Sequence, residues 1–131
     1  MKRPWNRINL PVYSVSSKSK ESQNMHICTY VSSVSMSPKR MMVALYNNTK
    51  TLENVSENPH FVLQLLSDSQ YNLVKLLGQT SGHTTDKLSR LKKRNLLSVW
   101  KNFSVLKDSL AYIELKSINT IDGGDHIMHL C

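Results

Sequence analysis

The sequence has little glycine, little cysteine and no long hydrophobic run. Its four glycines form neither a P-loop nor a G-x-G-x-x-G dinucleotide fingerprint. Two cysteines, Cys28 and Cys131, are too few for the disulfide framework of a small secreted domain. The longest apolar stretch, residues 40–46, is far shorter than the roughly 20 residues that span a bilayer. The basic N-terminal segment has no apolar segment behind it, so we expect a cytoplasmic protein with no signal peptide and no membrane partner.

The formal net charge is +8, which favours anionic partners such as phosphate-bearing cofactors and nucleic acids. Much of this charge lies in one segment, at Lys87, Arg90, Lys92, Lys93 and Arg94. Cations near the end of a helix suit the negative pole of its dipole, and no aromatic residues alternate with them to stack on bases. A solvated helix face is therefore the preferred interpretation, with nucleic-acid binding as the alternative.

The chain is predicted to be mainly β with short helices. Six segments have the β-branched, aromatic or apolar patterns of strands: residues 11–16, 26–35, 40–46, 60–66, 110–121 and 126–130. Three helices are expected between them: one capped by Thr51 and ending before Pro59, one opened by a capping box at Ser67 and Gln70, and one capped within residues 84–86. Residues 122–125 predict a hairpin turn. This order indicates one domain over residues 1–131, an antiparallel barrel with helices at its ends or on one side.

A candidate anion site follows the strand at residues 40–46. Asn48, Thr49, Lys50 and Thr51 lead into a helix, where free backbone N–H groups meet the positive end of the helix dipole. Two threonine hydroxyls and one lysine lie within three residues, so a terminal phosphate would fit here. An asparagine-rich turn before a capped helix explains the same spacing equally well.

A candidate surface for a planar ring lies in the strand before it. Alternation along this strand gives two faces, one with Thr29, Val31, Ser33 and Ser35 and the other with Tyr30, Ser32 and Val34. Small hydroxyl side chains would let a flat ring approach the backbone and find hydrogen bonds. The alternative is a solvated edge strand, which polar β-branched residues also favour.

Histidine and cysteine occur together in two places. His126, His129 and Cys131 form one group, and His26 with Cys28 forms the other. On a strand, positions 126 and 129 point to opposite faces, so we expect no metal site. Neither cysteine lies beside an evident base or a helix start, so we expect no nucleophilic thiol.

The order of these motifs resembles the flavin reductase-like, FMN-binding split-barrel family. The resemblance covers nearly the whole chain and lies in residues 3–7, 11–14, 25–40, 43–46, 49–54, 61–66 and 124–126. It implies a split antiparallel β-barrel with Greek-key connections, which pairs into a homodimer with FMN at the interface. It also implies that the residues matching 29–35 line the isoalloxazine ring and that those matching 48–51 receive the phosphate.

The same resemblance implies an activity. Many members transfer hydride from NAD(P)H to the flavin, so the chain is expected to be an FMN-dependent NAD(P)H oxidoreductase, with a non-catalytic FMN carrier or sensor as the alternative. The motif Gly124-Asp125-His126 makes His126 the candidate catalytic residue beside the flavin, although it could equally order the hairpin. The chain departs from the family at His26, where asparagine is frequent, and at Cys131, beyond which members usually continue with another strand. An open edge and an exposed apolar patch are therefore expected at the C-terminal side of the barrel. Either the partner subunit completes the barrel or the affinity for FMN is reduced, and the sequence leaves both alternatives open.

Overall fold

The computed structural model describes residues 3–131, and its backbone forms two four-stranded antiparallel sheets. The first sheet contains β1 (Tyr13–Lys18), β2 (Gln23–Cys28), β5 (His60–Leu65) and β8 (Ala111–Lys116), in the order β2-β1-β5-β8. The second contains β3 (Val31–Met36), β4 (Lys39–Tyr46), β9 (Asn119–Asp122) and β10 (His126–Leu130), in the order β3-β4-β10-β9. A separate hairpin contains β6 (Leu97–Trp100) and β7 (Phe103–Leu106). The helices are α1 (Lys50–Glu57), α2 (Val74–Gly78) and α3 (Lys87–Lys93), and 3₁₀ turns occupy Pro4–Arg7 and Asp68–Leu73.

The two sheets are joined at opposite corners, where the chain passes from one sheet into the other. At the first corner, Thr29 and Tyr30 connect β2 to β3, and the carbonyl of Tyr30 accepts a hydrogen bond of 2.9 Å from the backbone of Ala44. At the second, Ser117 and Ile118 connect β8 to β9. The backbone N–H of Ser117 donates to the carbonyl of Pro59, and that of Ile118 donates to the carbonyl of Leu130. This arrangement confirms the predicted split antiparallel β-barrel.

The predicted single strands over residues 26–35 and 110–121 are wrong, because each is divided by one of these corners. Neither corner contains glycine or proline, so the sequence carries no breaker signal at the point where the backbone turns. The sequence does not predict the hairpin of β6 and β7 either, because its turn also lacks glycine and proline. Its turn uses Lys101 and Asn102, both with positive φ (49° and 65°), instead of a glycine.

The main hydrophobic core lies between the two sheets. It contains Val15, Cys28, Val43, Leu45, Val55, Phe61, Leu63, Leu115 and Cys131, all buried. A second cluster, with Met25, Leu73, Leu77, Leu91 and Leu106 at its centre, packs α2 and α3 against β2. Each fully buried aliphatic or aromatic side chain contributes roughly 1.5–3 kcal/mol to folding. These two clusters hold β2, and therefore the first corner, from both sides.

Helix ends agree with the sequence at most positions, with one correction. The first helix ends at Glu57 before Pro59, the capping box of Ser67 and Gln70 is present, and Asp86 accepts from the backbone N–H of Ser89 (3.0 Å). The predicted cap at Thr51 is wrong, because the N-cap of α1 is Thr49. Thr51 is the second helical residue and is completely buried.

The basic segment does not form one charged patch. Lys87 is buried and its Nζ donates a hydrogen bond of 3.1 Å to the carbonyl of Leu77. The remaining cations of α3, Arg90, Lys92 and Lys93, lie in its last turn and are exposed, where they favour the helix dipole. Because the exposed cations are confined to the last turn of α3, they support the interpretation of this segment as a solvated helix face. Within residues 3–131, no helix is both long enough and apolar enough to cross a bilayer.

Candidate functional site

A cavity of about 290 Å³ lies at the first corner of the barrel, and we call it the corner cavity. Five elements enclose it: the end of β2 with the connection to β3, the second half of β4, the start of α1, the end of α2 and the start of β10. Its lining residues are His26, Ile27, Cys28, Thr29, Tyr30, Ala44, Tyr46, Thr49, Gly78 and His126. Thr29, Tyr30, Thr49 and His126 come from the residues that the sequence predicted for a flavin site.

One wall of the corner cavity is aromatic. The ring of His126 lies 4.9 Å from that of Tyr30 and 5.2 Å from that of Tyr46, measured between ring centroids. Tyr46 and His126 face each other in the ladder between β4 and β10. Nδ1 of His126 is 2.7 Å from a carboxylate oxygen of Asp125, a contact that fixes the orientation of the imidazole. The wall offers the aromatic surface on which a planar ring can stack.

The start of α1 forms the polar end of the cavity. Thr49 Oγ1 accepts from the backbone N–H of Leu52 (3.2 Å) and donates to the carbonyl of Tyr46 (2.8 Å). The first intrahelical bond is donated by the N–H of Glu53 to the carbonyl of Thr49. The N–H groups of Lys50 and Thr51 therefore have no acceptor within the helix, which is the arrangement that binds anions at helix N-termini.

Two hydrogen bonds connect this helix start to the hairpin that carries His126. The backbone N–H of Asn47 donates to the carbonyl of Asp125 (2.9 Å), and its side-chain amide donates to the carbonyl of Gly124 (3.0 Å). Asn48 is exposed and has a φ of 59°, a left-handed conformation that asparagine tolerates, so it turns the chain and does not line the cavity. The polar end and the aromatic wall are thus held in fixed relation.

The side chain of Lys50 points away from the corner cavity. Its Nζ lies 3.2 Å from Glu53, whose other carboxylate oxygen lies 2.7 Å from Nε2 of His83. The hydrogen bond from His83, and then that from Lys50, lowers the pKa of Glu53. Lys50 instead lines a larger, open cleft of about 740 Å³, which we call the lysine cleft, together with Lys18, Lys20 and Lys92.

Thr51 does not present its hydroxyl to a ligand. Its Oγ1 accepts a hydrogen bond of 2.9 Å from the amide of Asn24 on β2, and the side chain has no exposed surface. Only the backbone N–H of Thr51 is available at the helix start.

Most of β3 lies outside the corner cavity. Ser32, Ser33 and Val34 are exposed, Val31 packs against the main core, and Ser35 is half-buried. A register shift between Ser33 and Ser35 interrupts the alternation on which the two predicted faces depended. Of the predicted segment 29–35, the structure therefore brings only Thr29 and Tyr30 to the cavity.

Sequence reasoning did not assign His26, Cys28, Tyr46 or Gly78 to the site. Cys28, Tyr46 and Gly78 end β2, β4 and α2, and His26 lies within β2, so only the three-dimensional arrangement brings the four residues together. Cys28 is buried, which raises its thiol pKa to about 11, and its Sγ contacts the carbonyl of Ala44. It is therefore a neutral packing residue and not a nucleophile. In the part of the chain that the structure describes, no three His, Cys, Asp or Glu side chains are grouped as metal ligands.

Known proteins match both the sequence and the fold. The sequence model of the flavin reductase like domain matches residues 5–131. The FMN-binding protein from Thermus thermophilus with bound 1-cyclohex-2-enone has a TM-score of 0.84 at 18% identity, over 99% of this chain and 71% of that one. Flavoredoxin from Methanosarcina acetivorans has a TM-score of 0.81 at 18% identity, over 99% of this chain and 70% of that one.

A third similar structure is the styrene monooxygenase flavin reductase from Pseudomonas putida S12. It has a TM-score of 0.74 at 17% identity, over 92% of this chain and 74% of that one. None of the curated proteins has a sequence that matches this chain. At these identities the solved structures establish the fold, and the match over residues 5–131 establishes the family. The chain belongs to the flavin reductase-like domain family.

Proposed function

We propose that this protein binds FMN in the corner cavity and acts as an NAD(P)H-dependent flavin oxidoreductase. The observation that carries the proposal is the combination, in one cavity, of a helix start with unbonded N–H groups and a wall of three aromatic rings. FMN has a phosphate at one end and a planar ring at the other, so it matches both features. Family membership and the FMN-binding protein among the structural neighbours support the same assignment.

The residues present fit the cofactor. The N–H groups of Lys50 and Thr51 would hold the phosphate, and Tyr30, Tyr46 and His126 would border the ring. Two features of the described residues carry this fit: the two N–H groups at the helix start have no acceptor within the helix, and the aromatic rings border the same cavity. When bound, FMN would supply the hydride chemistry, while the chain supplies binding, orientation and exclusion of water.

Lys50 contributes in this arrangement through its charge and not through direct contact. Its ammonium group is paired with Glu53 on the side of α1 that faces the lysine cleft. The backbone N–H groups and the helix dipole therefore provide the main attraction for the phosphate.

We also propose that the protein is a homodimer. Beside the corner cavity, Thr29 and Tyr30 line an apolar cleft of about 480 Å³ together with Trp5, Ile8 and Leu10. Trp5, Ile8 and Leu10 are 58%, 68% and 48% exposed, an apolar surface that a second copy would cover. Light scattering on the purified protein tests this, and a monomer at micromolar concentration contradicts it.

The function is tested by adding FMN to the purified protein and then NADH or NADPH under anaerobic conditions. We expect saturable quenching of flavin fluorescence, followed by loss of the visible flavin absorbance with at least one donor. If FMN binds and neither donor bleaches it, the protein is a non-catalytic flavin carrier. If FMN does not bind at all, the assignment of the cavity is wrong.

A further inference from the structure

His26 is the most unusual residue in the wall of the corner cavity. It lies in the middle of β2, opposite Val15 of β1, and it is half-buried. Its Nδ1 is enclosed by protein and has no hydrogen-bond partner among the described residues. Nε2 is not among the enclosed atoms that lack a partner, and no side-chain hydrogen bond of His26 is present among the described residues, so Nε2 keeps accessible surface on a ring that lines the corner cavity.

The imidazole of His26 is neutral at cellular pH. Burial lowers its pKa to about 4, and electrostatic interactions with Lys87 on α3 and His126 on β10 act in the same direction. Lys87 is itself buried, with its Nζ bonded to the carbonyl of Leu77. Within residues 3–131, no carboxylate lies within ion-pair distance of His26 or Lys87 to offset these effects.

A neutral imidazole carries one proton, and the surroundings decide which nitrogen holds it. A proton on Nδ1 would be an enclosed donor without an acceptor, an arrangement that is rare and costly in proteins. A proton on Nε2 leaves only a lone pair enclosed and places an N–H at the cavity surface. The second tautomer is therefore favoured.

We propose that His26 is a ligand-recognition residue whose Nε2–H donates a hydrogen bond to an unprotonated acceptor on the edge of a heteroaromatic ring in the corner cavity. The acceptor is a carbonyl oxygen or a ring nitrogen. This proposal rests on the proposed function, in which that ring is the isoalloxazine of FMN. It adds a specific contact from His26, which lies outside the segment 29–35 that the sequence assigned to the ring.

Two substitutions separate the hydrogen bond from the shape of the side chain. His26→Gln keeps an N–H donor, and His26→Phe keeps a ring of similar size without a donor. His60→Phe, at an exposed position on β5, is the matched control. FMN affinity is measured by fluorescence quenching at pH 7.5, and circular dichroism checks that each variant is folded.

We expect His26→Phe to bind FMN roughly tenfold more weakly than the unmodified protein, since one buried hydrogen bond is lost. His26→Gln should remain within about threefold, and His60→Phe should bind equally well. If His26→Phe binds FMN as tightly as the unmodified protein, the inference fails while the proposed function stands. If the unmodified protein does not bind FMN, both fail.

A second measurement does not depend on substitution. Long-range ¹H–¹⁵N spectra of the histidine rings report both charge and tautomer. At pH 6, His26 should be neutral with its proton on Nε2, and saturation with FMN should shift the Nε2 resonance. A charged ring, a proton on Nδ1, or an unchanged Nε2 resonance with FMN bound would overturn the proposal.

Discussion

Nδ2 of Asn24 donates a hydrogen bond to Oγ1 of Thr51 over 2.9 Å, and both side chains are buried. This bond joins the first turn of α1 to β2, the strand that carries His26. One turn later, Asn54 donates to Oγ of Ser17 on β1 (3.2 Å). The position of the helix start relative to the corner cavity is therefore set by buried polar contacts as well as by the cap.

Replacement of Thr51 by valine should destabilise the fold. The substitution conserves shape but leaves the buried amide of Asn24 without its acceptor, at a cost of about 1–3 kcal/mol. Urea denaturation measures the change in the free energy of unfolding. Ser56→Ala is the control, because Ser56 lies on the exposed side of the same helix, and it should change the stability by less than about 0.5 kcal/mol.

Replacement of Thr49 by alanine should affect both stability and FMN binding. It removes the N-cap of α1, which costs about 1 kcal/mol, and it changes a residue that lines the cavity. Thr51→Val should leave FMN affinity within about twofold, because its side chain does not reach the cavity. Comparison of the two by fluorescence titration checks which threonine borders the cavity, and a greater loss of affinity in Thr51→Val would contradict the assignment to Thr49.

Charge reversal at Lys50 should weaken FMN binding with little loss of stability. A glutamate at this position adds a negative charge close to the phosphate, while acidic residues in the first turn suit the helix dipole. The effect should shrink in high salt because the charge is partly exposed. Lys116→Glu, at an exposed position on β8, is the control. An equal loss of FMN affinity in that variant would mean that the net charge of the protein, and not the position of residue 50, determines the effect.

The stability of the protein should depend on Lys87 at alkaline pH. Burial lowers the pKa of Lys87 from 10.5 to about 8, so folding disfavours its charged form. Its favourable contribution to the free energy of unfolding is fully present above pH 10.5, the pKa of this lysine in the unfolded chain, and is lost as the pH falls through 8. Relative to Lys87→Met, the unmodified protein should gain stability between pH 8 and 10.5. Urea denaturation across this range measures the difference, and a constant difference would mean that the ammonium group is hydrated.

Both thiols should react slowly in the folded protein. Cys28 and Cys131 are free and buried, and burial raises the pKa of each to about 11. Because the thiolate is the reactive form, a chromogenic disulfide reagent at pH 8 should modify them only after denaturation. Cys131→Ser leaves a single thiol and allows the rate to be assigned, and rapid reaction of native Cys28 would show that the corner cavity opens.

Local patterns predicted most strands and most helix ends, but they predicted neither the hairpin of β6 and β7 nor the corners. The apolar runs of β4 and β5 are strong signals, since strands buried on both faces need such sequences. The turns at Thr29–Tyr30 and Ser117–Ile118 depend on which sheet each half joins, which is a long-range property. The cap was placed two residues late because Thr49 and Thr51 are equally good capping residues, and only the contact with Asn24 distinguishes them.

The residues of the candidate site also differ in whether local sequence or long-range contacts determine their position. Residues adjacent in sequence to a helix start, such as Thr49, can be identified from the chain because the anion site is local. His26 and Tyr46 reach the cavity only because β2 and β4 lie in different sheets that meet at the corner. The resemblance to the family supplied His126, which no local pattern would have separated from a residue that orders a hairpin.

The central place of β10 in its sheet has a consequence for biosynthesis. Tyr46 and His126 are ladder partners, yet the ribosome makes them 80 residues apart, and β4 has no inner neighbour until β10 is translated. Contacts of such long sequence separation form late and slowly. The polar end of the cavity can thus be in place well before its aromatic wall, so uptake of the proposed flavin would report that β10 has joined its sheet.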